Sequence, residues 1–191
     1  MRTAEKIRDT LETRVSIRLN LDGSGASRIE TPIEFLNHML TSLATHSLID
    51  LEVEAEGNLQ HHIVEDTAIT LGEALLAAIG DAKGLTRFGF TRVPMDESLA
   101  EAVLDLSGRP YTVIELGTSG KAIEGMACED ASHFLRSLAT SAKMTLHIHV
   151  PYGDNDHHRV EAAFKALALC LRQASRLDNA RRGVPSSKGV L

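Results

Sequence analysis

The sequence predicts an α+β fold built by internal duplication, with two halves, each a small sheet covered by two helices, packed together. Three observations carry this reading. The pattern His-His-x-x-Glu stands twice, as His61-His62-Ile63-Val64-Glu65 and as His157-His158-Arg159-Val160-Glu161. The eight residues from His38 to Thr45 return as His133 to Thr140, with six of the eight identical. The offsets are 96 residues for the first pair and 95 for the second, so ordered elements recur at nearly constant spacing. The halves are expected at residues 1–90 and 91–191, and no Pro- or Ser-rich linker parts them.

Each element has its own signal. Val15, Ile17, Leu19 and Leu21 alternate with polar residues, the period of a half-buried strand, before the turn Asp22-Gly23-Ser24-Gly25. Thr31-Pro32-Ile33-Glu34 reads as a capping box with proline at the first helical position, opening a helix that carries His38. Leu51, Val53 and Ala55 alternate with glutamates in a second strand, and a helix opening at His61 runs to about Gly80 or Gly84. The first half thus reads strand, helix, strand, helix. In the second half, strands are expected around Glu101–Leu106 and Tyr111–Leu116, then a helix through His133, a strand from Met144 to Val150, and a helix from Asp156.

A chain of 191 residues, 43% hydrophobic, can bury a substantial core. The net charge of −6 leaves no general basic surface for nucleic acid or an acidic membrane, so neither partner is expected. Arg2, Glu5, Lys6, Arg8 and Glu12 begin the chain with no apolar run behind them, which argues against a secretory signal or membrane span and for a cytoplasmic protein. Cys128 and Cys170 lack metal-type spacing and read as buried thiols.

The histidines carry the chemistry. On a helix, residues i and i+4 share a face while i+1 points about 100° away, so His61 can join Glu65 at one ion while His62 faces elsewhere. A single His-Glu pair at this spacing is ordinarily a solvated contact. Here six of nine histidines occupy repeat-related positions with two glutamates beside them: His38, His61, His62, Glu65, His133, His157, His158 and Glu161. Two octahedral ions, each with three histidines and one carboxylate, would use all eight and leave open positions for a substrate. Donors of nitrogen and oxygen without thiolate suit Mn, Fe or Zn. Because His61 and His62 diverge, one ion must draw ligands from both halves or from a neighbouring subunit, so oligomerisation is expected. His147 and His149 share one strand face and read as cross-strand partners, and His46 as a helix C-terminal residue.

Over almost its whole length the chain resembles the imidazoleglycerol-phosphate dehydratases. The residues that carry the resemblance are Phe35-Leu36-Asn37-His38-Met39-Leu40, the doubled His-His-x-x-Glu, Asp105-Leu106-Ser107-Gly108-Arg109-Pro110-Tyr111, Thr145-Leu146-His147-Ile148, Phe164-Lys165-Ala166 and Pro185-Ser186-Ser187-Lys188-Gly189-Val190-Leu191. The resemblance implies a lyase of histidine biosynthesis that dehydrates imidazole glycerol phosphate to imidazole acetol phosphate, with two Mn(2+) per active site between subunits of a 24-subunit shell. Its ligands, carried over by position, are the same eight residues. It further implies Glu12 as an acid/base group, Lys165 near the substrate hydroxyls, and Arg87, Arg109, Ser186 and Lys188 around the phosphate. The chain departs from the family pattern at Asn37, where aspartate is usual, at the short Asn58-Leu59-Gln60 segment, and at Ser42, where many relatives carry a phosphate-contacting glutamine.

The expected chemistry is loss of a weakly acidic C–H proton beside an imidazole ring, with departure of a hydroxyl from the next carbon. A dinuclear metal site would stabilise the ring as imidazolate and permit a diazafulvene-like intermediate, while Glu161 and Glu12 share the acid and base roles in unassigned order. Two other readings stand beside this one: a non-catalytic oligomeric metal-binding shell, and a dinuclear metallohydrolase. The first has no need of an anion-binding set, and the second calls for a bridging aspartate that the repeat lacks.

Overall fold

A computed structural model of the chain describes residues 1–190. The first half comprises β1 (Thr3–Asp9), β2 (Thr13–Asn20), β3 (Ser27–Glu30), α1 (Glu34–Ser47), β4 (Asp50–Gly57) and α2 (Gln60–Ile79). The second repeats the plan with β5 (Phe88–Met95), β6 (Ser98–Asp105), β7 (Tyr111–Glu115), α3 (Cys128–Ser141), β10 (Thr145–Tyr152) and α4 (Asp156–Ala174). Between β7 and α3 it inserts a small hairpin, β8 (Ala122–Ile123) and β9 (Met126–Ala127). The sheets have matching orders, β1-β2-β4-β3 and β5-β6-β10-β7, and in each the last-named strand pairs parallel to its neighbour while the other pairs are antiparallel.

The duplicated α+β fold is therefore present, but each half opens with three sheet strands where the sequence predicts one in the first half and two in the second. β1 and β3 escaped because they are edge strands: in β1 no residue is fully buried, so Lys6 and Arg8 take the inward positions and the apolar alternation is lost. β5 escaped for the opposite reason. It places Phe88 and Phe90 outward and exposed while its inward row begins with Gly89, whose α-carbon lies so close to the Cys170 backbone that a β-carbon would meet its carbonyl oxygen at 2.2 Å.

The start of α1 also needs correction. The helix opens at Glu34, not Pro32, and no side chain caps it in the ordinary way. Instead Asn37 locks the entry. Its side-chain oxygen accepts from the Thr31 hydroxyl (2.7 Å) and the Thr31 N–H (3.1 Å), and its amide donates to the Thr31 carbonyl (3.0 Å). A carboxylate could not make that last bond, so asparagine has a local reason at this departure from the family pattern. α2 ends at Gly80, in positive φ, as its sequence predicts.

The helices pair across the halves. α2 lies on the first sheet and packs against α3, whereas α4 lies on the second sheet and packs against α1. The inward rows Val15-Ile17-Leu19, Leu51-Val53-Ala55, Ala100-Ala102-Leu104 and Leu146-Ile148-Val150 close one continuous core with them, and Phe134 and Phe164 meet there at 5.4 Å between ring centroids. Cys128 and Cys170 are both buried, and burial pushes the Cys170 thiol up to about 12. Among the described residues no helix is long and apolar enough to cross a membrane.

Candidate metal centre

The crosswise helix pairing puts one histidine of each half against the His-Glu pair of the other. His38 of α1 meets His157 and Glu161 of α4; His133 of α3 meets His61 and Glu65 of α2. In each group one ligand atom per residue lies within 4.8 Å of the others. In the α1/α4 group, Glu161 Oε2 stands 3.4 Å from His38 Nε2 and 3.3 Å from His157 Nε2, and its Oε1 pairs with Lys165 Nζ at 2.9 Å. In the α2/α3 group, Glu65 Oε1 lies 3.1 Å from His133 Nε2, and the His61 and His133 rings sit 4.8 Å apart. Three converging nitrogen and oxygen donors in each group fit a hard or borderline divalent cation, three short of an octahedral shell.

The neighbouring groups set the state of these donors. His61 Nδ1 is 2.6 Å from the buried carboxylate of Asp130, which turns Nε2 toward the cluster and raises the imidazole's affinity for a proton. Burial works to raise the carboxyl of Glu161, but the Lys165 ammonium, with His38, outweighs it and holds Glu161 below the usual range. Phe35 packs its ring edge on His157 at 5.1 Å, and Glu124 reaches His157 Nδ1 at 3.1 Å. His46, in the last turn of α1 as expected, is lowered by burial.

His62 and His158 join neither cluster, as the i+1 position requires. His158 Nδ1 lies 2.8 Å from Glu97 Oε2, which raises the histidine and holds Glu97 at about 2. His62 Nδ1 is buried 3.1 Å from Glu12 Oε2, at an angle that makes no hydrogen bond. Glu12 and Glu97 occupy the same place in the two halves, the turn between the first two strands. Sequence reasoning missed Glu97 because the first strand of the second half was not recognised, Glu124 because its hairpin has no first-half counterpart, and Asp130 because its contact to His61 spans 69 residues and is made by tertiary packing alone. Asn155, just before the expected helix start at Asp156, caps α4 with its side chain by accepting from the N–H groups of His157 (2.8 Å) and His158 (3.4 Å).

The expected phosphate groups lie elsewhere in the chain. Arg87 grips Asp105 through Nε (2.6 Å) and Nη2 (3.0 Å) and gives Nη1 to the carbonyl of Pro185 (2.7 Å), tying the tail to the second sheet. Arg109 donates to Ser107 O at 3.0 Å, and Ser186 Oγ accepts from Lys188 N. Gly108, Val184 and Gly189, beside these residues, border one cleft of about 380 Å³ with Leu76 and Ile79 at the far end of α2. Eighteen residues of helix separate Ile79 from His61, about 27 Å at 1.5 Å per residue, so one chain does not bring the phosphate set to the α2/α3 cluster. Ser42 is buried on α1 with an unpaired hydroxyl. A depression of about 650 Å³ lies over the first sheet at Thr3, Asn20, Ser27 and Asp50 and touches none of the eight ligands; the clusters themselves are open, with His38 and His61 each 49% exposed.

A family profile described as imidazoleglycerol-phosphate dehydratase matches residues 31–171. The chain belongs to the imidazoleglycerol-phosphate dehydratase family. With membership comes the activity class, a hydro-lyase of histidine biosynthesis. The imidazoleglycerol-phosphate dehydratase of Methanothermobacter thermautotrophicus is 52% identical over 194 residues, covering 100% of this chain and 98% of that one. That of Methanococcoides burtonii is 48% identical and covers both chains fully. The Staphylococcus aureus dehydratase crystal structure superposes with a TM-score of 0.85 at 37% identity over 92% of this chain and 99% of that one. The Pyrococcus furiosus enzyme, solved in complex with (S)-C348, gives a TM-score of 0.85 and 37% identity over 97% and 100%.

Proposed function

We propose that this dehydratase converts imidazole glycerol phosphate to imidazole acetol phosphate with two divalent cations, Mn(2+) first among them, in active sites shared between subunits of a cytoplasmic homo-oligomer of 24 chains. The observation that carries this reading is the pair of matched, incomplete clusters, each offering two histidines and one glutamate while His62 and His158 stand apart on the same helices; on this reading those two histidines complete the clusters of neighbouring subunits. The span of about 27 Å along α2 between the α2/α3 cluster and the tail cleft supports the same conclusion, since Arg87, Arg109, Ser186 and Lys188 could reach that metal site only across a subunit boundary. The exposed apolar row of Phe90 and Val103 on the second sheet, with Tyr111 at the next register, supports assembly as well. The two fused units are taken as residues 1–90 and 91–191.

His38, His157 and Glu161 would hold one cation and His61, Glu65 and His133 the other. Such cations supply charge stabilisation to an imidazole ring that must carry electron density as the adjacent C–H proton leaves. The chain's own groups do the rest. The proton on the carbon next to the ring passes to a carboxylate, the hydroxyl on the following carbon takes a proton from an acid group and departs as water, and the resulting enol relaxes to the ketone. Both oxygens of Glu161 are engaged, one by Lys165 and one by the two histidines, so removal of the carbon-bound proton is assigned to Glu12, which is 63% exposed at the β1–β2 turn, with Glu161 as a ligand. Lys165 fixes Glu161 and lies next to where the substrate hydroxyls would sit. Arg109 offers a fork and Lys188 a point charge to the phosphate, and Arg87 acts by holding the tail in place.

The test is turnover of imidazole glycerol phosphate by metal-stripped protein reloaded with Mn(2+), followed by absorbance of the product. Product formation that needs the metal is expected; bound metal without product for any divalent ion would leave the storage-shell reading instead. Glu12→Gln is expected to keep both cations and lose turnover, and near-normal turnover with full metal occupancy would remove Glu12 from the chemistry.

A further inference from the structure

The two clusters have the same donors but opposite surroundings, and the repeat shows where they diverged. Position 130 sits 95 residues after position 35, and position 165 sits 96 after position 69. At the first pair, the α2/α3 cluster has Asp130, its side chain 6% exposed and 2.6 Å from His61 Nδ1, whereas the α1/α4 cluster has Phe35, which meets His157 with an uncharged ring edge. At the second pair, the α2/α3 cluster has the apolar Ile69 while the α1/α4 cluster has Lys165, whose ammonium takes one oxygen of its only glutamate. Glu124 does approach His157, but it is 63% exposed at the tip of the β8–β9 hairpin, where water screens it.

We propose that the two cation sites are unequal: the α2/α3 site, backed by Asp130, binds tightly and fills first, and the α1/α4 site, opposed by Lys165, binds loosely and fills last. A carboxylate behind a ligating imidazole fixes the ring and its tautomer and raises its basicity as a ligand, so His61 meets a cation already oriented. An ammonium bonded to the ligating carboxylate does the reverse, because it repels the incoming cation and competes for the donor. In the α2/α3 site Glu65 faces the ion and Asp130 stands behind its His61 ligand, neither of them paired with a lysine or arginine; in the other the one buried carboxylate is neutralised by Lys165. Asp130 is thus a positioning residue for one site only, and the loosely held ion is the one nearest Lys165 and the proposed substrate hydroxyls.

This inference rests on the two-cation reading, and its test uses metal binding, so the two can fail separately. The metal-stripped native assembly is titrated with Mn(2+), with free ion followed by paramagnetic resonance. Two classes of one site per subunit are expected, at least about tenfold apart. Asp130→Asn is expected to weaken the tight class by about tenfold to a hundredfold and leave the loose class unmoved. Should Asp130→Asn not fold, Lys165→Met carries the test alone, since it should tighten the loose class toward the other. A single class of two equal sites in the unaltered protein overturns the inference, as does an equal shift of both classes in either variant. No binding at all removes the two-cation reading with it, and turnover without separable classes leaves that reading intact while removing this one.

Discussion

The two halves of this chain have one backbone plan and one set of ligand positions, yet almost everything around those ligands differs. The strand orders match, and both His-Glu pairs meet the other half's lone histidine. Against that sameness, α4 has a side-chain cap in Asn155 where α2 has none at Leu59, Asp130 answers Phe35, and Lys165 answers Ile69. What stayed equal is what geometry demands: helices pairing crosswise so that ligands from different halves converge. The departures lie in the groups that set charge and orientation, which a duplicated scaffold can vary without moving the donors.

The comparison breaks most sharply at the two glutamates. Glu161 is 8% exposed and joins two histidines and a lysine, while Glu65 is 37% exposed with a single histidine partner. Glu161→Gln is expected to lower turnover by about a thousandfold, within the range for loss of an acid/base or charge-stabilising group, and to lower the melting temperature because Lys165 loses its partner. Glu65→Gln should cost metal at its own site with little change in melting temperature. Equal thermal effects in scanning calorimetry would mean that the burial difference between the sites has no energetic weight.

Next in size is the packing of the crossed helices. Gly72 on α2 lies where a β-carbon would stand 2.6 Å from Ser141 Cβ and 2.7 Å from the Leu138 carbonyl of α3. Its repeat equivalent, 96 residues on, is the fully buried Ala168 of α4. Gly72→Ala should therefore destabilise by about 1–3 kcal/mol through overpacking, whereas Ala168→Gly should cost about 1 kcal/mol from the lost helix preference. Thermal unfolding of both variants sharpens the comparison, and a stabilised Gly72→Ala would show that α2 and α3 can part without penalty.

These contrasts mark where the sequence was legible. The inward rows of β2, β4 and β10 and the helices through the histidines showed themselves because one face of each is buried and the other wet, which writes a period of two or 3.6 into the residues. β1 and β3 write no such period as edge strands, and β5 writes a misleading one, with Phe88 and Phe90 turned outward. The clustered donors were legible through the doubled motif, since i and i+4 share a helix face wherever the helix lies. Asp130 and Glu97 were not, because their contacts to His61 and His158 cross 69 and 61 residues and depend on tertiary packing alone.

A third contrast lies in the loop before the parallel strand of each half. In the first, Asp50 Oδ1 accepts the N–H groups of Ser24 (2.8 Å), Gly25 (3.0 Å) and Ala26 (3.0 Å). In the second, the position 95 residues on is Thr145, and hydroxyls of Ser107 and Thr145 hold the carbonyl of Arg109. The Ser24 N–H and its neighbours pull the Asp50 carboxyl below its ordinary 3.8. A carboxyl lowered in the folded state adds stability that is complete above 3.8 and is lost as pH falls through the lower folded value. The first loop should thus loosen in acid while the Arg109 loop does not. Asp50→Asn should cost about 1 kcal/mol at neutral pH, allowing for solvent exposure, and flatten the acid limb of the stability curve. An unchanged acid limb in this variant would place that pH dependence in other carboxylates.

The smallest expected effect separates the outer faces of the two sheets. The first carries an exposed lattice of charge, with Arg18 at 3.0 Å from Glu5 and 3.7 Å from Glu52, and Arg28 at 2.9 Å from Glu30 and 3.6 Å from Glu54. The second shows Phe90, Val103 and Tyr111, each more than half exposed. Pairs in water gain little, since Coulomb attraction at high dielectric is set against the entropy of two long side chains and is screened by salt. Arg18→Ala should therefore leave the unfolding free energy almost unchanged, with any small difference gone at 1 M salt. A substitution on the apolar face, Phe90→Ser, should likewise leave the fold of one chain intact, because that side chain touches water and not the core. If Phe90→Ser lowers the melting temperature and the assembly size together, the apolar sheet is covered by another subunit and the charged one is not; if Arg18→Ala does so instead, the roles of the two faces are reversed.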